Sequence, residues 1–528
     1  MKQIKYAILT IVLGLGLTSC GDSFLTQYPE GGVLLEDQYQ SLPDKLEGAI
    51  FGIYSKLYEY GDHDTFGQRS MDMYGDIQSG DMAMKKCSYG WFESYERGYY
   101  SNYARSYAWS FYYEIIHLAN LCDMAVDADK ADIFAAMVSG DPTEVIAQNG
   151  YYYGQILALR GWAYSHLLDI YTDPRNISQA NSDDPALPIY TGAEVKAGTL
   201  GQPRSTVKQV YDRIYEDLSD AIDLLDFYGA LNQRGSKLEI DADVARLILA
   251  YAMLNHGDKT DIVADSKNCY QIALEQAQAV ISGGKYPMLK LNALTTTGFS
   301  DVQAANWMWA EDVTVENTTA LGSFFGQVDI HTYSYAAAGD TKGIDSKLYD
   351  DIVATGWDAR KDWFRSGSEK FPYCPDGKFY CPKTKHTTDL DKVDRDWLCD
   401  NVFMRVELAY LIAAEAAYSN DDEATAWTYL DQLCAERTID GKAADYATWK
   451  AATSVKDAII YNWRVEMWGE GYSLQLFRRL QESKTLGTNH LSRSGADITL
   501  DANYQCEMPT SETRYNRNIG KTSLTHKN

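Results

Sequence analysis

No stretch of this chain is apolar for the roughly 20 residues that a membrane-spanning helix requires. The longest candidate, residues 6–17, stops short and is interrupted by Thr10 and two glycines. Basic charge is scarce as well. Lys and Arg number 48 against 74 Asp and Glu, a formal net charge of −26, and no segment gathers Lys or Arg into a patch. A body of that sign repels phosphate backbones, which argues against a nucleic-acid partner. Catalytic signatures are missing too: there is no His-Glu-x-x-His, no Gly-x-Ser-x-Gly and no phosphate loop. The 8 histidines are scattered, and His117 and His166 each stand alone on a helical pattern. Acid pairs such as Asp350-Asp351 and Asp421-Asp422 carry no glycosidase signal in a chain this rich in carboxylates. Asp389, Asp391, Asp394 and Asp396 have a calcium-loop rhythm, without the Gly and closing Glu such a loop needs. The expectation is a protein with no catalytic residues, no cofactor and no metal.

Aromatic side chains are what the chain has in excess, with 40 Tyr, 12 Trp and 15 Phe. At 45% hydrophobic residues it can bury a large core, and many of these rings belong there. Exposed amphipathic rings at such density suit a surface that binds flat, hydroxylated ligands.

The chain opens with Lys2 and Lys5, then the short apolar run, then Leu17-Thr18-Ser19-Cys20. These are the parts of a secretory signal, and the last four residues resemble the bacterial lipobox. The expectation is a signal peptide over 1–19, a lipidated Cys20, a tether over 20–40 and one body over 41–528. Of the 9 cysteines, most are scattered singly. Cys374-Pro-Asp-Gly-Lys-Phe-Tyr-Cys381 differs, because Pro-Asp-Gly is strong turn chemistry that could bring its two thiols together. An exported protein can oxidise such a pair. A hairpin disulfide and two free thiols both stay open, and a zinc knuckle with Cys399 and His386 makes a poor third choice.

Apolar periodicity predicts helices over 44–60, 109–124 and 155–171, the last apolar almost all round and so buried. Residues 61–90, rich in Gly, Asp and Met, read as loop. Thr206 and Gln209 fit a capping box, and Val207, Val210, Tyr211, Ile214, Leu218, Ala221, Ile222 and Leu225 follow on one face. Helices over 242–255 and 270–281 form a pair, as do those over 406–418 and 423–437. Such alanine-rich pairs suggest degenerate tetratricopeptide-like repeats. Residues 285–400 lack periodicity, and a segment of that length is usually functional or wraps the scaffold.

Several blocks together resemble the SusD/RagB family of surface nutrient-binding lipoproteins. They are Ser23-Phe24-Leu25; Leu157-Ala158-Leu159-Arg160-Gly161-Trp162-Ala163-Tyr164 with Leu187-Pro188; Arg204-Ser205-Thr206-Val207; Asp358-Ala359-Arg360; Arg405-Val406-Glu407-Leu408; Glu466-Met467-Trp468-Gly469-Glu470-Gly471; and Met508-Pro509-Thr510-Ser511-Glu512. The order matches along nearly the whole chain. One departure stands out: the Arg and Asp that come after Glu-Gly in the family are Ser473 and Leu476 here. Losing both leaves no orphan charge, so Glu466 and Glu470 read as structural. The resemblance implies a mostly α fold, with tetratricopeptide-like helix pairs supporting an irregular, loop-rich half. It also implies an outer-membrane position facing outward, a TonB-dependent transporter of the SusC type as partner, and capture of glycans or, in some members, peptides. It implies no catalysis.

The family fixes no binding motif, so candidate contacts come from side-chain chemistry. A sugar site needs a flat ring beneath an apolar C–H face and polar groups around it. Such rings belong on loops held by a scaffold. Trp109, Trp162, Trp463 and Trp468 sit in helical patterns and are set aside. Trp91 beside Gly90, with Tyr95 near it, meets the test. Trp307 and Trp309, separated by two, share one face if the backbone is extended, and Tyr333 and Tyr335 repeat that spacing. The expected platform joins Trp91 to some of these four, with Asn306 or Asp329 donating or accepting hydrogen bonds.

Overall fold

The computed structural model describes residues 43–98, 102–172, 184–194, 201–232, 236–262, 267–295, 298–383, 397–499 and 506–519. Cys20, the expected leader and tether, and the acidic run at 389–396 lie outside them. Helices of eight residues or more are numbered in chain order. In the first half they are α1 (Pro43–Lys56), α2 (Gln68–Ser79), α3 (Asn102–Ala125), α4 (Lys130–Ser139), α5 (Glu144–Tyr171), α6 (Val207–Asn232), α7 (Ala242–His256) and α8 (Cys269–Gly283). In the second half they are α9 (Ser346–Thr355), α10 (Glu407–Ser419), α11 (Glu423–Ala435), α12 (Ala443–Ala452), α13 (Val455–Glu466) and α14 (Ser473–Leu480). None is long and apolar enough to cross a membrane.

The scaffold is a run of helices each laid on the next. α5 lies against α3 and α6, α6 against α7, α7 against α8, α8 against α10, and α10 against α11 and α13. Caps written in the sequence set the starts. Thr206 Oγ1 accepts from Gln209 N at 3.2 Å while Gln209 Oε1 accepts from Thr206 N at 2.8 Å. Asn268 and Gln271 form the same reciprocal box at α8. The tightest contact, α5 on α6, depends on glycines that would each cost roughly 1 kcal/mol in a helix interior. A Cβ at Gly150 would stand 2.4 Å from Tyr228, and one at Gly161 would stand 2.9 Å from Leu218. Close approach is what those glycines give in return. Between them Arg160, buried, donates to Asp217 at 2.8 Å, to Asp123 at 2.8 Å and to Asn120 at 2.8 Å, tying α3, α5 and α6 together. One hydrophobic cluster runs through the described residues from Leu46 to Cys506.

Strands among the described residues occur only as four antiparallel pairs: β2 (Pro185–Pro188) pairs with β3 (Arg204–Thr206) and β7 (Ser483–Thr485) with β8 (Asp497–Thr499), while the other two pairs position the residues singled out in the sequence. β1 (Met82–Met84) pairs with β5 (Lys342–Ile344), Met84 opposite Lys342. β4 (Trp307–Glu311) pairs with β6 (Asn401–Arg405), with a register shift on either side of Trp309. Residues 61–90 are not the loop expected of them, since they contain α2 and β1. The reason is chemical. Gln68, Arg69, Asp72 and Asp76 are buried in hydrogen bonds on α2, so no apolar period marks that helix.

Candidate functional site

Two clusters take up the residues singled out in the sequence. The first is closed to solvent. Arg405, at the end of β6, donates to Glu466 at 2.7 Å and to Glu470 at 2.9 Å. Arg437, just past α11, donates to Glu407 at 3.0 Å and to Glu466 at 2.9 Å. Arg360 reaches Asp358 at 2.6 Å and Glu466 at 3.1 Å, and Lys378 reaches Glu470 at 2.8 Å. All eight charged groups are buried, and cations and anions balance. Burial pushes the Glu466 carboxyl up, but Arg437, Arg405 and Arg360 overcome it and hold the group well below the usual carboxylate range. Burial pulls Lys378 down to about 8 against the attraction of Glu470. The Glu-Gly turn is pinned to α2, where Asp76 accepts from Gly469 N at 2.6 Å, and a Cβ at Gly471 would stand 2.7 Å from Asp72 Cα. This cluster fastens three helices and the 358–378 loop. It offers nothing to a ligand.

The second cluster is open. β1 pairing with β5 brings residues 60–64, 86–92 and 333–340 together. The rings meet edge to face or tilted: His63 with Trp91 at 5.0 Å, His63 with Tyr335 at 5.1 Å, Tyr89 with Tyr335 at 5.3 Å, Tyr60 with His63 at 5.8 Å and Trp91 with Tyr335 at 6.2 Å. Tyr60 is 51% exposed and Tyr89 52%, while His63, Trp91 and Tyr335 are partly buried. The backbone beneath is fixed. Asp340 accepts from Ser88 N at 2.5 Å and Tyr89 N at 2.9 Å. His63 O accepts from Gln327 at 2.7 Å, and Gln327 accepts from Lys342 at 2.8 Å. Gly90 and Phe92 adopt left-handed backbone, φ 88° and 63°, which sends Phe92 into the core and leaves Trp91 at the edge. The Tyr60 ring rests on Gly322, where a Cβ would stand 2.4 Å away.

Of the expected contacts, Trp91 and Tyr335 stand in this rim and Tyr333 is 39% exposed nearby in sequence. The others are elsewhere. Trp307 and Trp309 lie on one strand, but that strand is covered on both faces. Trp307 donates to Gly298 O, and Trp309 is packed by Tyr54, Trp162 and Phe403. Tyr95 is buried, stacked on Tyr74 with ring centres 4.0 Å apart. Asn306, fully buried, donates to Glu407 and so braces the charge cluster. Asp329 is buried and accepts from Thr332 at 2.7 Å and Trp397 at 2.8 Å, which makes it a strut under the 329–335 segment. Tyr333 and Tyr335 do not share an extended face, because Ser334 caps a helical turn that Tyr335 begins. The Cys374–Cys381 hairpin is replaced by a different bridge, Cys381–Cys399, with Cα atoms 5.8 Å apart. Cys374 packs instead with Ile330 and Ala336. The Pro-Asp-Gly turn serves to aim Lys378 inward. Sequence reasoning passed over Tyr60, His63 and Tyr89, although Tyr89 flanks Gly90 in the same loop as Trp91.

A partly open cavity of about 80 Å3 is lined by Asp72, His166 and Asp169 among others. Burial pushes Asp72 up to about 6 and Asp169 up to about 7, and lowers His166 to about 3. The space suits a few water molecules and is too small for a sugar ring. No group of three or more His, Cys, Asp or Glu among the described residues could hold a metal ion.

The fold is a helical scaffold that carries rings on braced loops. Residues 37–249 match the family model SusD-like_3, described as starch-binding, associating with outer membrane. Solved structures share the fold over nearly all of the chain. A SusD-like carbohydrate-binding protein from Bacteroides vulgatus has TM-score 0.67 and 22% identity, covering 91% of this chain and 97% of that one. A SusD superfamily protein from Bacteroides thetaiotaomicron gives 0.68 and 19%, covering 90% and 99%. One from Bacteroides fragilis gives 0.67 and 19%, covering 91% and 99%. No curated protein matches by sequence. Over residues 37–249 the chain is thus similar in sequence to the SusD-like family, and over nearly all of its length it has the fold of the SusD-like structures.

Proposed function

We propose that the chain captures glycans at the cell surface and passes them to a SusC-like TonB-dependent transporter, held to the outer membrane by a lipid on Cys20. The observation that supports a sugar ligand is the rim itself. Rings from three separate loops converge on a hydrogen-bonded base, and two of them are half exposed. Rings so placed lose little freedom on binding and present flat faces to sugar C–H surfaces, with the Tyr60 and Tyr89 hydroxyls free to meet sugar hydroxyls. Calorimetry against a panel of polysaccharides and peptides tests the reading, with Trp91→Ala and Tyr89→Ala beside the unaltered chain. Sugar affinity that falls in both variants supports it; affinity for peptides alone moves the ligand to the peptide-capturing branch. Anchoring and partnership have separate tests. Cys20→Ala should leave the membrane fraction under carbonate washing, and the transporter should co-purify from detergent extracts.

A further inference from the structure

Beside the rim lies a cleft of about 410 Å3 lined by Lys85, Lys86, Phe371, Pro372 and Asn489 among others. We propose that it is a cationic subsite, and that the ligand of the adjoining rim is therefore an anionic glycan, carrying carboxylate or sulfate groups on its sugars. The inference rests on the glycan reading above and sharpens it to a substrate class.

Charge is the first ground. In a chain of net charge −26, Lys85 and Lys86 are exposed and form no ion pair among the described residues. Lys370, from a loop almost 300 positions along the chain, is likewise exposed and unpaired, its ammonium 4.9 Å from the centre of the Phe371 ring. The nearby carboxylates form no ion pair with these lysines among the described residues. Asp340 is buried and accepts from two backbone amides, and Glu369 accepts from Ser366. Beneath them Lys342 is buried, with Gln327 Oε1 and Asp340 O as its acceptors. The cleft is thus a local reversal of the sign of the whole body.

Construction is the second ground. Phe371 and Tyr373 hold left-handed backbone, φ 57° and 66°, uncommon for bulky side chains. The loop is seated on β5, where Ile344 N donates to Tyr373 O at 2.9 Å and a Cβ at Gly343 would stand 2.7 Å from that oxygen. The outcome is a cleft that Phe371 lines together with two lysines. Continuity with the rim is the third ground. Gly339 closes the helical turn begun by Tyr335, and a Cβ there would stand 3.3 Å from Lys86 Nζ and 2.6 Å from Ser88 Oγ. One oligosaccharide can therefore lie on the rings and place an acidic group at Lys86. Lysines act here as exposed point charges, so the attraction is screened by salt.

The experiment uses the full chain, and two matched probe pairs: oligogalacturonate with its methyl ester, and sulfated with unsulfated dextran oligosaccharides. At low salt one charged probe should bind about ten-fold more tightly than its neutral counterpart, the strength of a charge-assisted contact. Lys85→Gln with Lys86→Gln should erase that preference without moving the melting temperature, and high salt should do the same. Preference for oligogalacturonate assigns carboxylate as the recognised group, and preference for sulfated dextran assigns sulfate. Trp91→Ala should weaken both members of a pair and keep their ratio. Equal binding within both pairs, an unaffected ratio in the lysine variant, no binding of any probe, or equal competition by polyglutamate overturns the inference. Lost preference in the lysine variant with no effect of Trp91→Ala keeps the cationic cleft and refutes the aromatic rim.

Discussion

The charge cluster around Glu466 and the aromatic rim around Trp91 are both assembled from loops and helix ends, yet water reaches only the second. In the first, four cations and four anions are desolvated together, and each guanidinium finds carboxylate partners in fixed geometry. Removing one member leaves the rest uncompensated. In the second, rings touch edge to face over a hydrogen-bonded backbone, and loss of one ring exposes its neighbours to water without stranding a charge. Strongly perturbed charged groups often mark functional sites. Here they mark a rivet, and the candidate site lies apart from them.

The largest effect should therefore come from the cluster. Glu466→Ala takes a carboxylate from Arg360, Arg405 and Arg437 at once, and should cost about 3–5 kcal/mol in urea unfolding. A variant with unaltered stability would erase the distinction between the two regions. Next comes the bridge between them. Cys381–Cys399 spans 18 residues, and its neighbour Trp397 props Asp329 beneath the rim segment. Cys381→Ser with Cys399→Ser should lose about 3 kcal/mol, and Cys374→Ser should not reproduce that loss under oxidising conditions. Third is Trp91→Ala, which should lower glycan affinity about ten-fold, the scale of one aromatic contact, while stability falls by about 1 kcal/mol.

Much of the scaffold was legible because its helices obey an apolar period and carry their caps in the sequence, as Thr206 and Gln209 show. What escaped was whatever depends on partners distant in the chain. α2 hid because its buried side chains are polar and paired. Trp307 and Trp309 share a strand face as their spacing demands, but spacing is silent on the second layer that covers the strand. Cys381 had a tempting neighbour in Cys374, and only the fold shows that Cys399 is closer. Arg437 completes the charge cluster as a single residue with no motif around it, and Lys378 does so from a turn that the sequence marks without showing which way its lysine faces. Trp91 was recoverable from its loop and its glycine, whereas Tyr60 sits just past a helix end, where nothing local separates it from packing.

A further effect separates the regions by pH. Asp72, Asp76 and Asp169 are buried near the charge cluster, and burial, the largest influence on each, raises them to about 6, 7 and 7. Unfolded, such groups release their protons near 4. Between those values the folded chain holds more protons than the unfolded one, so the stability these groups contribute is full below about 4 and is lost as pH rises through about 7. Glu466 and Glu470 run the other way, since their folded values are depressed and their contribution disappears as pH falls below the unfolded range. Lys378, lowered to about 8, adds a slope only above that pH. The melting temperature should thus decline from pH 5 to pH 7.5. Asp169→Asn keeps the shape of the side chain and removes the titrating group, so it should flatten that decline, by about 2–3 kcal/mol of unfolding free energy between pH 5 and pH 7.5. Trp91→Ala, made in the exposed rim, should leave the slope as it is. A slope unchanged in Asp169→Asn, or altered in Trp91→Ala, would show that the interior and the rim are electrostatically coupled and that the contrast drawn between them is too sharp.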